Sequence, residues 1–262
     1  MYNIFKLQRF GKLFMKFTAE RYKNYLMSLG VLIGILLLGG VFMVFMMNVR
    51  LEISLQLLFL IWVVFLAGSV FTSMIFADLG DPKKSISALS LPATHFEKFL
   101  VAWIYSFVIF LIVVISCFYL VILFLLSIRH FPDSQDGAFN LFHNINGWNG
   151  SIFIVLVTLY GVFHSVSFYG AIAFKKLHFV KTALLFFLCF AITITINNIY
   201  MHQLIHREII QVVPFTSVSF LEKGATISLN AISFVSFGQL VFIILAFILW
   251  TAAYFRLKET QA

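Results

Sequence analysis

Charge is what this sequence has least of. Of its 262 residues 11% are Asp, Glu, Lys or Arg and 62% are hydrophobic, whereas a soluble domain carries roughly a quarter charged residues. So few charges cannot clothe a water-facing surface, which excludes a soluble globular domain and makes lipid the solvent. Cysteine is nearly absent too. The two present, Cys117 and Cys189, fall in separate apolar runs without a Cys-x-x-Cys pair, and both read as small core residues. Catalytic signatures are missing as well. Without a Gly-x-x-x-x-Gly-Lys-Ser/Thr loop the chain cannot by itself hydrolyse ATP in the P-loop manner. Neither a Gly-x-Ser-x-Gly elbow nor a His-Glu-x-x-His pair occurs. No two carboxylates share a span, which counts against a proton- or sodium-coupled relay.

What is present is apolar length. Residues 24–49, 53–77, 99–128, 137–174, 182–206 and 224–255 are free of Asp, Glu, Lys and Arg, and each exceeds the roughly 20 residues that cross a bilayer as a helix. They predict an all-α polytopic membrane protein with spans at 26–48, 54–77, 98–128, 150–174, 181–200 and 231–255. A closed barrel would show alternating strands of about ten residues rather than continuous runs such as VLIGILLLGGVFMVFMM. With no internal repeat or low-complexity linker, residues 1–262 read as one membrane domain.

The first 25 residues differ from the rest. Leu7, Phe10, Leu13, Phe14 and Phe17 share one arc of a helical wheel, and Arg9, Lys12 and Lys16 another. That pattern predicts an amphipathic helix at the membrane surface; an irregular basic leader that only orients the first span is the alternative. The segment is too long and too charged to begin a cleaved secretory signal. Fourteen of the eighteen Lys and Arg lie on flanks that six spans place together with both termini, and Arg50, Arg129, Arg207 and Lys223 lie opposite. This bias predicts cytoplasmic termini in a cytoplasmic (inner) membrane. The formal charge of +8 then faces anionic lipid, and nucleic acid is not expected as a partner.

Polar residues inside the apolar runs are few enough to consider singly. Tyr160, His164 and Ser167 fall at i, i+4 and i+7 in LYGVFHSVSFYG. Such a stripe lines a translocation pathway or gate, or else forms a hydrogen-bond cluster between spans. His202 and His206 are also four apart, a metal-compatible spacing that supplies only two ligands, so no metal site is expected. Between them and the last span, residues 200–230 are partly apolar and interrupted by Pro214, which predicts a re-entrant or surface-lying external hairpin.

The least apolar interruption is residues 76–100, FADLGDPKKSISALSLPATHFEKFL. Asp81 and Pro82 read as an N-cap and first helical position. The helix they open must end near Ser90, because Leu91 precedes Pro92 and is driven toward extended geometry. Thr94 and Glu97 then form a Thr-x-x-Glu capping box that opens the third span. The result is a short helix between two corners, with a plain connector as the alternative.

This architecture, together with ALSLPATHFEKFL at residues 88–100, resembles an ABC transporter permease of the type-2 exporter superfamily, in the form found in Bacteroidetes. The resemblance implies a transport subunit rather than an enzyme: a permease half paired with a second copy or paralogue and with ABC ATPase subunits, which would hold the ATP and Mg. The chain itself would bind no cofactor. It further implies that residues 81–89 are the coupling helix that docks into the ATPase, through Asp81, Pro82, Lys83, Lys84, Ile86 and Leu89, with Leu91, Pro92, Phe96 and Glu97 shaping its exit. The amphipathic N-terminal helix would be the elbow helix. A stand-alone membrane enzyme or secondary carrier, and a non-transporting membrane scaffold, remain the competing readings.

Overall fold

The computed structural model describes residues 6–46, 52–75, 94–128, 138, 140, 152–174, 178–205, 209–213, 217–222, 225–230 and 232–260. Helix α1 spans Leu7–Met46, its last turn Phe42–Met46 being π-helical. Helix α2 spans Ile53–Ile75, α3 His95–Ile128 and α4 Ile152–Ala173. Helix α5, His178–Ile205, leads into three strands, β1 Ile209–Val213, β2 Ser217–Glu222 and β3 Ala225–Asn230, before α6, Ile232–Thr260. All six helices are long and apolar enough to cross a membrane. The chain is an all-α polytopic membrane protein whose helices lie close to the six expected spans.

Two features depart from the sequence expectation in form. The amphipathic segment and the first span make one uninterrupted helix of 40 residues, about 60 Å long at 1.5 Å per residue and twice the thickness of a hydrocarbon core. No proline stands between Lys6 and Met46 to turn the chain. All of the apolar arc but Leu7, which is exposed, also finds protein rather than lipid: Phe10, Leu13, Phe14 and Phe17 pack on a core of Val101, Ala102, Tyr105, Phe168 and Ala171. The second departure is in residues 200–230, where the chain forms an antiparallel meander in the order β1-β2-β3. Val218 pairs with Val212 and Leu229, and Phe220 with Ile227. Runs such as TSVSFLE alternate β-branched or aromatic residues with polar ones, which suits strands. A sheet with open edges leaves backbone groups unpaired, so it belongs outside the hydrocarbon layer rather than re-entering it.

Helix α4 is the hub, buried from Ile152 to Ile172 at fourteen positions. Its close approach to α2 depends on Gly68, where a Cβ would come within 2.5 Å of Tyr160 Cε2 and 3.0 Å of Phe110 Cε1. Small residues at such crossings let helices meet where lipid offers no hydrophobic drive for association. Among the described residues, the interior around α4 divides into two apolar cores. One, from Leu32 and Leu36 through Val64, Phe118 and Leu156 to Tyr160, joins α1, α2, α3 and α4. The other joins the start of α3 and the end of α4 to the end of α6 and the N-terminal turns of α1.

Candidate functional site

Thr94 adopts extended backbone geometry as the N-cap of α3, its hydroxyl accepting from Glu97 N–H at 3.2 Å. The Glu97 carboxylate answers by accepting from Thr94 N–H at 3.0 Å, so the capping box forms as the spacing predicts. Its other partners come from the far end of the chain. Arg9 donates to both carboxylate oxygens, Nε to Oε2 and Nη2 to Oε1, each at 2.8 Å, and Lys6 N–H donates to Oε1 at 3.1 Å. Glu97 is fully buried while the Arg9 side chain is 31% exposed. A planar guanidinium matches a carboxylate in this bidentate manner, and the pairing offsets the cost of burying the acid. One carboxylate therefore satisfies amide groups at the starts of both α1 and α3, which helix ends otherwise leave unpaired.

A second tie lies farther along α1. Arg21 donates to the Ile75 carbonyl at 3.0 Å, satisfying the last residue of α2. Helix α1 thus holds both the end of α2 and the start of α3, the two described flanks of residues 76–93. Residues 81–89, with Asp81, Pro82, Lys83, Lys84, Ile86 and Leu89, and the exit residues Leu91 and Pro92 lie outside the described residues. Phe96 is half-exposed, its ring edge-on to Tyr254 of α6 with centroids 6.1 Å apart.

The second polar site lies inside the bundle, where α3, α4 and α6 meet. His164 Nε2 is 2.7 Å from Ser106 Oγ, and Trp250 Nε1–H donates to His164 Nδ1 at 3.1 Å. An indole N–H only donates, so Nδ1 accepts, and the neutral imidazole carries its proton on Nε2. Nε2–H then donates to Ser106 Oγ, whose own proton goes to the Ala102 carbonyl at 2.8 Å. Tyr160 completes the cluster by donating to the Ser106 carbonyl at 2.7 Å. That carbonyl is free because residues Ile104–Ile109 are π-helical, and Phe110 N–H bonds to Tyr105 and Phe107 while passing over Ser106. Tyr160 and His164 are fully buried, walled by the Phe107 ring at 5.4 and 5.1 Å between centroids.

The expected stripe therefore contributes Tyr160 and His164 to the cluster; Ser167 is buried but enters none of these bonds. Sequence reasoning missed Ser106 and Trp250, which nothing in their own apolar runs sets apart, and Arg9, which lies 88 residues from its partner. A Ser–His contact invites comparison with nucleophilic catalysis, which needs the histidine to accept from the serine. Here the bond runs from histidine to serine, the reverse polarity. His202 is exposed on the last turn of α5, His206 lies outside the described residues, and among the described residues no three His, Cys, Asp or Glu gather to hold a metal. Of the cysteines, Cys117 is buried as expected, whereas Cys189 is exposed on the apolar surface of α5. The chain matches no family model, no curated protein and no solved structure.

Proposed function

We propose that this chain is the membrane permease subunit of an ATP-driven exporter, set in the cytoplasmic membrane with both termini on the cytoplasmic side. Its partners would be ABC ATPase subunits carrying ATP and Mg, together with a second permease copy or paralogue. The observation that supports this reading is the double grip of α1 on the flanks of residues 76–93, at Ile75 through Arg21 and at Glu97 through Arg9. A tether between two spans needs no such bracing. A segment that receives the motion of a soluble motor does, because displacement is passed on only if its ends are fixed to the helices that must move.

The test is purification from the native membrane with identification of the accompanying chains. A P-loop ATPase should copurify with the wild type, and Ile86→Asp should insert normally yet lose it, since a carboxylate placed in a buried contact has no partner there. Lys83→Ala should retain the ATPase, exposed charges contributing less than buried apolar anchors. An Ile86→Asp protein that keeps a bound, transport-coupled ATPase would overturn the assignment. A second reading, a membrane scaffold, is favoured by the mutual bonding of Tyr160, Ser106, His164 and Trp250, which commits every donor proton these side chains carry to a partner within the bundle. Absence of any ATPase from the purified complex would favour it.

A further inference from the structure

Three consecutive residues of the π-helical stretch in α3 face the N-terminal arm of α1 and the buried polar joint at once. Tyr105 faces α1: its ring stacks on Phe14 and Tyr25 with centroids 4.8 and 5.4 Å apart, and its hydroxyl is hydrogen-bonded to Thr18. Ser106 faces the interior, binding His164 through its side chain and Tyr160 through its carbonyl. Phe107 stacks on Tyr160 and meets Trp250 edge-on. Glu97, the anchor of Arg9, stands on the same helix about 12 Å before Tyr105, at 1.5 Å per residue.

A π turn is one residue of excess in an α-helical ladder. If the excess passes along the helix, the residues it crosses rotate by about 100° relative to those it has not reached, and the skipped carbonyl changes identity. We infer that residues Ile104–Ile109 form a register switch that links the N-terminal arm of α1 to the buried joint of α3, α4 and α6. With the excess where it now lies, Tyr105 meets α1 and the Ser106 carbonyl is open to Tyr160. With the excess moved toward the N-terminus of α3, Phe110 N–H returns to the Ser106 carbonyl, Tyr160 loses its acceptor, and Tyr105, now crossed, turns away from Phe14 and Tyr25. The two sets of contacts are therefore made and broken together. This inference does not rest on the transport reading and holds or fails without it.

The experiment is a double-mutant cycle on the full chain in lipid nanodiscs, read by thermal unfolding. Arg9→Ala and His164→Leu share no partner, and independent sites of that kind add. Through the switch they should not: the shift of the double variant should fall short of the sum of the singles, whereas Arg9→Ala with the lipid-facing Leu188→Ala should add. Deleting Val108, which is 38% exposed within the π stretch, removes the excess residue and leaves the register on both sides intact. It should preserve the folded state and abolish the non-additivity. A second readout is the ring ¹⁵N signature of His164, which Arg9→Ala should shift and Lys12→Ala, on the exposed face of α1, should not. Additive effects of Arg9→Ala and His164→Leu, non-additivity that survives deletion of Val108, a Val108 deletion that fails to fold, or an unmoved His164 signature would each overturn the switch.

Discussion

Helices α4 and α5 follow one another in the chain with four residues between them, yet one is buried along most of its length and the other along almost none. Apolar content does not separate them, since each carries a stretch long and apolar enough to cross a membrane. Thr158, Tyr160, Gly161, His164, Ser165, Ser167 and Gly170 of α4 are all buried. On α5, Leu184, Leu185, Phe187, Leu188, Phe190, Ile192 and Ile194 are exposed, and Thr182 is buried. In a bilayer a leucine gains little by leaving lipid for protein, and what sorts helices is close packing at small residues and hydrogen bonding between polar ones. On α4, depth is thus written in glycine, serine, threonine and histidine.

The sharpest test applies the same kind of truncation to each helix, beginning with the buried one. Leu156 of α4 is 2% exposed within the larger apolar core, and Leu156→Ala should cost about 2–5 kcal/mol through the cavity it leaves, measured by denaturant unfolding in detergent. A cost near zero would mean that α4 packs loosely and the contrast is false. Next in size is the contact between the two helices. A Cβ on Gly170 would run into Thr182, whose Oγ1 it would overlap and whose Cβ it would meet at 2.8 Å. Rotating the Thr182 side chain cannot clear its own Cβ, so Gly170→Ala should cost about 1–3 kcal/mol and Gly170→Ala with Thr182→Gly should recover much of it. Recovery failing, the close approach of α4 and α5 would not be what Gly170 serves.

His164→Leu comes third. It keeps the volume roughly constant but leaves the Trp250 indole N–H without an acceptor and Ser106 Oγ without its donor. Interhelical hydrogen bonds in membranes contribute about 0.6–2 kcal/mol, and the loss should fall in that range, accompanied by a change in Trp250 fluorescence. An unchanged emission would mean that the indole never depended on the imidazole.

How legible each part was depends on whether its signal is local. The spans were readable because each is an unbroken charge-free run, and the Thr94–Glu97 box because both members lie within one turn. Tyr160 and His164 were readable as a pair because i, i+4 spacing places them on one face. The partners were not. Arg9 looked like one more solvated charge on an amphipathic helix, and nothing in its neighbourhood points to an acid 88 residues away. Ser106 owes its role to a skipped carbonyl in a π turn, which no composition or period announces. Burial was the least legible property, because apolar length, the usual guide, marks α4 and α5 alike as spans and does not say which lies inside. The small strands were within reach, since residues 217–230 alternate in the strand period, but their apolar content suggested only a re-entrant or surface-lying hairpin.

The smallest effect should come from Leu188→Ala on α5. Its side chain is 53% exposed, and it meets lipid both in the folded bundle and in a separated helix, so truncation removes nearly the same contacts from both states. The change should stay within about 0.5 kcal/mol, against the several expected for Leu156→Ala. Insertion should be untouched, because α5 remains apolar enough to span after losing one leucine. Measured at several protein concentrations, the value also says what covers α5. If Leu188→Ala costs as much as Leu156→Ala, and the cost grows as the protein is concentrated, the exposed face is packed against another chain. The contrast between the two helices would then belong to the isolated subunit alone. A small, concentration-independent value would mean that lipid is the neighbour and that the ordering by small and polar residues holds for the membrane-embedded molecule.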